Sequence, residues 1–338
     1  MKPNQMSIKE IAKLCDVSVA TVSRVINNNG RFSEKTRKKV LDVIEKHQYN
    51  TNTVAKTLRI QKSKTIGIIV PDIGNDFFST IVHKIESYFF ERGYSTFICN
   101  TDRSIEKERA YIRSLDSKMV DGLLCISGQE EIEASLLSRD IPIVTIDRRP
   151  KITNKLTIIE SNHLHGGYLA TKHLIEKGCK HPIVLSKKNR LSPDNDRIEG
   201  FKKALTERDI PITHHSVVET TDNRKNNVDA ARKAIRHELK SGRNFDGVFA
   251  TNDWLALGVI KELADSGVRV PEEVKVVGFD DDKIAKYSEI PLTTIRHDVP
   301  EIAEVTSKLF YKLLNEEVVM SNHKHIKIPV ELIVRKTT

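Results

Sequence analysis

The chain has 338 residues, too many for one compact core, so two or three domains are expected before any motif is read. Hydrophobic residues at 38% and charged residues at 30% describe a globular protein, and no apolar run reaches the roughly eighteen residues of a transmembrane helix, which excludes a membrane protein. The net charge of +9 is unevenly placed: residues 1–61 hold twelve Lys or Arg against five Asp or Glu, an excess of +7, while the remainder carries only +2. That asymmetry points to a polyanionic partner for the N-terminal end.

The opening MKPNQMSIKE lacks the apolar stretch and small-residue cleavage site of a secretory signal, so the chain is expected in the cytoplasm. Ser7-Ile8-Lys9-Glu10 has the form of a capping box, with Ile8, Ile11, Ala12 and Leu14 at helical spacing behind it. Cys15-Asp16-Val17 interrupts this first helix, and Ser18 is placed to cap a second running to Asn27, with Val19, Val22 and Ile26 on one face. A third helix is predicted from Ser33 to about Lys46. Two short helices crossed over a three-residue turn and backed by a third form an all-α helix-turn-helix headpiece.

From Thr65 the texture changes to short β-branched runs, TIGIIVP, STFICN, VDGLLCIS and IPIVTID, alternating with a helix through Arg92 and further helical stretches. The rhythm restarts near His163 with a helix through Lys177, HPIVLS, a helix through Arg208, a strand near Val217, a helix through Leu239, DGVFAT, a helix and VKVVGFD. These βαβ series predict two α/β lobes with parallel sheets flanked by helices. A strand TTIRHD, a helix over residues 300–315 and a strand HIKIPVELIV are expected to cross back and complete both sheets. Cys15, Cys99, Cys125 and Cys179 are too scattered for a zinc or redox motif and read as buried free thiols. No Gly-rich phosphate loop, nucleophile elbow or spaced general-base pair is found, so neither a cofactor nor an enzymatic activity is expected.

At DVSVATVSRVIN (16–27), FSEKTRKKV (32–40) and YNTNTVAKTLR (49–59) the sequence resembles the lac repressor and galactose repressor family of bacterial transcription regulators. The likeness continues through VDGLL, IPIVTIDR, HGGYLATKHLIEKG, RIEGF, TNDWLALGVIKEL, VPEEVKVVGFDD and PLTTIRHD, in the family's order and spacing. It implies a headpiece at 1–50, a hinge helix and linker at 51–62, and an effector-binding and dimerisation domain like a periplasmic binding protein at 63–338. The N-lobe would comprise about 63–162 and 295–320, and the C-lobe about 163–294 and 321–338.

By family position, Val19 and Ala20 face the operator bases, and Arg24 pairs with guanine or phosphate. Ser7, Ser18, Thr21, Ser23, Asn27, Thr36 and Tyr49 are candidates for the remaining DNA contacts. In the hinge, Asn52 would be the cap, Ala55 and Leu58 the minor-groove face, and Lys56 and Arg59 the phosphate contacts, with Leu58 a wedge that bends the duplex. Thr51 stands where relatives usually have proline.

The resemblance further implies a sugar cleft between the lobes at the carboxyl ends of the strands. Hydroxyl recognition needs carboxylates, amides, arginine forks and aromatic faces. The ribose-binding pattern falls on Asn75, Phe77, Phe78, Asp147, Arg148, Arg197, Asn252 and Asp280, with His297 where glutamine is usual and no obvious aromatic near Thr221. Singly, Phe77 and Phe78 read as core and Asp147 or Asp280 as helix caps; their joint placement at strand ends favours a site. His163 with His165, His214 with His215, and His323 with His325 read as surface histidines, not metal ligands. In the triplet Asp280-Asp281-Asp282, a strand-end turn with one sugar-facing carboxylate explains the sequence better than a cation site.

The expected molecule is a homodimer, with association to a tetramer open, that binds double-stranded operator DNA and a small sugar or sugar-phosphate effector. A ribose-type repressor is expected. A sucrose or fructose operon repressor and a catabolite-control regulator using a phosphoprotein corepressor stand as alternatives, while a transported-sugar receptor and a sugar-acting enzyme are the rivals from other classes.

Overall fold

The structure, a computed structural model, describes residues 6–26, 29–47, 62–126, 129, 132–149, 156–188, 190–220, 227–317 and 324–338. The chain divides into two compact units, Met1–Ser63 and Lys64–Thr338.

In the first unit, α1 (Ile8–Cys15), α2 (Val19–Ile26) and α3 (Glu34–Lys46) enclose a small core of Ile11, Ala12, Cys15, Val22, Val25 and Val40. The capping box is present in both directions: the Ser7 hydroxyl accepts from the Glu10 N–H, and the Glu10 carboxylate accepts from the Ser7 N–H at 2.6 Å. Asp16 ends α1 in the left-handed conformation (φ 54°), which turns the chain sharply enough for α2 to cross it.

The second unit contains two six-stranded sheets. The first lobe is built on β1 (Thr65–Val70), β2 (Ser95–Asn100), β3 (Gly122–Cys125), β4 (Ile143–Ile146), β5 (Thr157–Ser161) and β11 (His325–Ile328), ordered β11-β5-β4-β3-β1-β2 and wholly parallel. The second lobe is built on β6 (Pro182–Lys187), β7 (Val217–Thr220), β8 (Gly247–Ala250), β9 (Lys275–Asp280), β10 (Thr293–His297) and β12 (Val330–Ile333), ordered β12-β10-β9-β8-β6-β7. Only β12 runs antiparallel there. Central strands such as β3, β4 and β8 are buried at every position, as a sheet covered on both faces requires.

Helices α4 (Asp76–Phe90), α5 (Ile105–Ser117) and α11 (Val299–Leu314) belong to the first lobe, where Ile81, Ile85, Phe89 and Phe310 join one core cluster. The second lobe carries α6 (His163–Glu176), α7 (Ser192–Thr206), α8 (Asn227–Lys240), α9 (Asp253–Asp265) and α10 (Lys283–Tyr287). No helix among the described residues is long and apolar enough to cross a membrane. All four cysteines are buried and unpaired, and burial pushes the Cys99 and Cys179 thiols up to about 11.

Several expectations need correction. Strand β5 has no counterpart in the sequence reading, where its five residues TIIES merged into the approach to α6. Between β3 and β4 the described residues hold only a single 3₁₀ turn, Ala134–Leu136, in place of a helix. The run HIKIPVELIV is two strands: Pro329, which has no N–H for a ladder, separates β11 in the first sheet from β12 in the second. Residues 325–328 therefore leave the C-lobe, and residues 295–297 leave the N-lobe because β10 pairs with β9.

The chain thus passes between lobes three times, at Asn162, Asp298 and Pro329. The Asn162 N–H donates to the Ile328 carbonyl at 2.8 Å, tying two of these passages together.

Helices α6 and α7 meet backbone to backbone. A Cβ built on Gly167 would lie 2.0 Å from the Arg197 carbonyl oxygen, and one on Gly200 would lie 2.0 Å from the Leu164 carbonyl oxygen. Only glycine fits at either position, and the contact sets the distance from His163, at the start of α6, to Arg197 in α7. Gly167→Ala or Gly200→Ala is expected to destabilise the second unit by about 1–3 kcal/mol or more through overpacking, read as a lowered urea midpoint.

Candidate DNA-contacting face and interlobe site

On α2 the side chains of Val19, Ala20 and Arg24 are exposed, while Val22 and Val25 are buried. Val19 is 41% exposed, so it is not a packing residue of this three-helix core. The Arg24 stem lies along Gly30, whose positive φ of 94° brings the chain close beneath it. The Ser18 hydroxyl accepts from the Thr21 N–H and pairs with the Thr21 hydroxyl at 2.9 Å, and Ser33 treats Thr36 in the same way. These pairings and the Ser7 cap fix side chains at three helix N-termini. Ser23 is half-buried. Asn27, Tyr49, Asn52, Ala55, Lys56, Leu58 and Arg59 lie outside the described residues.

In the second unit, the strand ends of both sheets meet in a buried polar seam. Asn75 caps α4, its side-chain carbonyl accepting from the Phe77 and Phe78 N–H groups, and so presents two aromatic rings beneath the seam. The Phe77 ring lies 4.4 Å from that of His297 and 5.4 Å from that of Phe78. Asn252 likewise caps α9 by accepting from the Leu255 N–H at 2.8 Å.

A continuous polar chain links the remaining groups. Ser161, ending β5, meets His297 Nδ1 at 2.6 Å, and His297 Nε2 meets Asp280 at 3.1 Å. Asp280 pairs with Arg197 at 3.4 Å. Arg197 donates to the Thr251 carbonyl at 2.5 Å, stacks 3.7 Å over Phe279 and donates to His163 Nδ1 at 3.4 Å. His163 Nε2 meets Asp147 at 2.7 Å, and Asp147 meets Arg148 at 3.3 Å. The structure thus brings Phe77, Phe78, Asp147, Arg148, Arg197, Asp280 and His297 together, with Asn75 and Asn252 engaged as caps at its margins.

The chain defines the protonation of its members. His163 accepts from Arg197 on Nδ1, so its proton sits on Nε2 and is given to Asp147, the pattern of a neutral imidazole. Burial, with help from the Arg197 charge, lowers His163 to about 4. Burial alone would raise the Asp147 carboxyl, but the contacts with His163 and Arg148 outweigh it and hold Asp147 well below the usual range. Asp147 takes a positive φ of 56° and Asp280 one of 114°, conformations that aim both carboxylates back over the strand ends.

His163 is therefore not a surface residue. It sits two residues after the end of β5, just past the passage at Asn162, whereas Asp147 directly follows β4, and the signal was lost with that strand. His165 and His214 are exposed, His325 pairs with Glu160 at 2.8 Å, and among the described residues no group of three His, Cys, Asp or Glu could hold a metal. The three aspartates diverge: Asp280 to Arg197 and His297, Asp281 to Arg296 and Arg335, and Asp282, through its N–H, to Asp253. Lys187 at the end of β6, also absent from the sequence reading, is near enough to feel Arg148, Asp194 and Asp280, and burial lowers it.

Beside Arg148 opens a cavity of about 170 Å³ that also meets Gln129, Arg149, Arg190, Leu191, Ser192 and Asn195. A second, of about 320 Å³, lies between Gly74 and Asp76 on one lobe and Trp254, Asp282 and Tyr287 on the other.

The family profile described as "Bacterial regulatory proteins, lacI family" matches residues 7–52, and that of the "Periplasmic binding protein-like domain" matches residues 171–338. A ribose operon repressor of Halalkalibacterium halodurans is 33% identical over 98% of this chain and 97% of its own. The chain belongs to the lacI family of bacterial transcription regulators. It is similar to the HTH-type transcriptional repressor PurR of Photobacterium profundum, 34% identical over 98% of both chains. The lacI-family structure from Alkaliphilus metalliredigens complexed with D-xylulofuranose covers 81% of this chain and 99% of its own, at 31% identity and a TM-score of 0.69. As a lacI-family protein, this one is a DNA-binding regulator and not an enzyme.

The His163 hydrogen bonds carry a pH signature. Its folded value of about 4 lies below the ordinary 6.5, so the unfolded chain binds the extra proton as pH falls through 6.5. Stability contributed by neutral His163 is full above that value and drains away toward pH 4, by up to about 1.4 kcal/mol per pH unit. Urea midpoints measured at pH 7 and pH 5 should differ less in His163→Gln than in the parent chain; an equal difference would show that His163 is not the group responsible.

Proposed function

We propose that this lacI-family regulator represses a sugar-utilisation operon, and that a small sugar of the ribose class, entering the interlobe seam, releases it from operator DNA in the cytoplasm. The observation that carries this reading is the buried chain Asp147–His163–Arg197–Asp280–His297 lying against Phe77. Paired carboxylates and guanidinium forks over an aromatic face are the groups that vicinal hydroxyls and a sugar C–H surface need. A ribose operon repressor among the relatives and a pentulose-bound structure among the neighbours support it.

On this reading the effector exchanges its hydroxyls for bonds that the lobes make with one another. Two of those bonds, Ser161–His297 and Asp147–His163, join the first lobe to the second, so ligand entry is linked to lobe position. The regulator acts as a homodimer. Strand β2 is a sheet edge, and Phe97 and Ile98 upon it, with Phe90 at the end of α4, are exposed apolar side chains fit to be covered by a second copy. The exposed α2 face of Val19, Ala20 and Arg24 reads the operator, Arg24 by donating to guanine or phosphate and the two apolar residues by touching thymine methyls.

Two measurements test the reading. In a gel-shift titration, ribose or a related pentose is expected to weaken operator affinity by roughly 5- to 150-fold, matching a coupling of about 1–3 kcal/mol; the same sugars should raise the melting temperature. If no pentose, hexose or sucrose-derived ligand alters operator affinity, the inducer assignment fails. Arg24→Ala is expected either to cost about 1–3 kcal/mol with relaxed specificity at one base pair, or to weaken all sequences alike and reduce the salt slope by about 1. Unchanged binding would remove Arg24 from the interface.

A further inference from the structure

The cavity beside Arg148 differs in chemistry from the seam it adjoins. Among the described residues its lining includes three arginines, Arg148, Arg149 and Arg190, together with Ser192 and Asn195, and no carboxylate. Arg148 and Arg149 come from the loop after β4 and Arg190 from the loop after β6, so cations converge on the space from both lobes.

These arginines are only partly committed. Arg149 reaches Glu160 at 3.3 Å and also pairs with Asp196, while Arg190 meets Glu219 at 2.7 Å. Each guanidinium has five N–H donors, and those pairings use a minority of them. Arg148 donates from Nη1 to the Asp147 carbonyl at 2.9 Å and meets its carboxylate at 3.3 Å; its side chain is 13% exposed, and its Nε is buried with no hydrogen-bond partner.

The surroundings add positive potential. Lys187 has no carboxylate within ion-pair reach among the described residues, and Arg103 has only Asp72, at 3.7 Å. The nearby carboxylate acting on both Arg148 and Lys187 is Asp194, which is not close enough to either for an ion pair. Helix α7 begins at the cavity, and its N-cap residue, Leu191, has no side chain that can cap. The helix therefore turns the positive end of its dipole toward the same space. Burial lowers Arg148, the mark of a cation short of compensating charge.

We propose that this cavity is an oxyanion subsite and that the effector is a phosphorylated sugar, its ring against Phe77 and Asp280 and its phosphate between Arg148, Arg149 and Arg190. The proposal rests on reading the interlobe seam as the effector site. Three guanidiniums approaching from two loops, one in each lobe, suit the three terminal oxygens of a phosphate monoester better than the two of a carboxylate.

Calorimetric titration of the full chain with ribose 5-phosphate, fructose 1-phosphate and fructose 6-phosphate tests it, against ribose, fructose, ribonate and inorganic phosphate. At least one sugar phosphate is expected to bind about tenfold or more tighter than its parent sugar. Arg190→Ala should remove most of that advantage while changing affinity for the parent sugar less than about twofold. Ser192→Asp provides a second route: an acidic residue in the first turn suits α7, yet places a carboxylate in the cavity, so phosphate binding should be lost from a folded protein. Equal affinity for a sugar and its phosphate, unaffected by either substitution, would overturn the subsite and leave the sugar-effector reading standing. Binding of ribonate in preference to the phosphates would overturn the phosphate assignment, and binding of none of these compounds would remove the effector reading together with the subsite.

Discussion

Charged groups that leave water must find partners, and in the interlobe seam of the large unit that requirement is met by a continuous chain of contacts from Ser161 to Arg148. Each member is held by its neighbours: Arg197 alone spans a carboxylate, an imidazole, a backbone carbonyl and an aromatic face. Removing one partner from such a network costs more than the bond itself, because the other is left desolvated. The chain starts and finishes in the first lobe and runs through the second, so it is at once the lining of a binding site and the connection between two halves of a molecule. A group that competes for any link alters the connection, the physical content of coupling between an effector and a distant partner.

The network depends in turn on close backbone approach. His163 and Arg197 lie on different helices, and their 3.4 Å contact exists because Gly167 and Gly200 let those helices touch without side chains between them. Backbone geometry places the carboxylates as well. Asp147 directly follows β4 and Asp280 ends β9, and each takes a positive φ at the carboxyl end of its parallel strand. The same strand-end arrangement in both lobes explains how groups more than a hundred residues apart converge.

Most of the architecture was legible because the forces that build it act over short spans. The Ser7–Glu10 box, the apolar face of α2 and the β-branched runs of β1, β4, β6, β8 and β9 all carry their signal within ten residues. What escaped depended on distant partners. Strand β5 is half of a pairing whose other half, β11, lies some 165 residues later, and Pro329 gives a turn signal without saying that the two strands it divides enter different sheets. His163 was misread for the same reason: a histidine beside another histidine looks like surface until the preceding strand is known. The cavity of arginines was invisible in sequence because its walls come from loops in separate lobes, and no local pattern records that they face one another.

The late strands β11 and β12 have one further consequence, for biogenesis. Each is an edge strand of a different sheet, and only Pro329 separates them. Neither sheet can be completed until the chain through Ile333 has left the ribosome, although most of the first lobe has been synthesised long before. A nascent chain therefore carries an open sheet edge at β5 for the time needed to make more than 160 residues, a long-range closure that is slow by its topology and exposed to chaperones meanwhile. The helical headpiece, whose contacts are all local, needs no such wait.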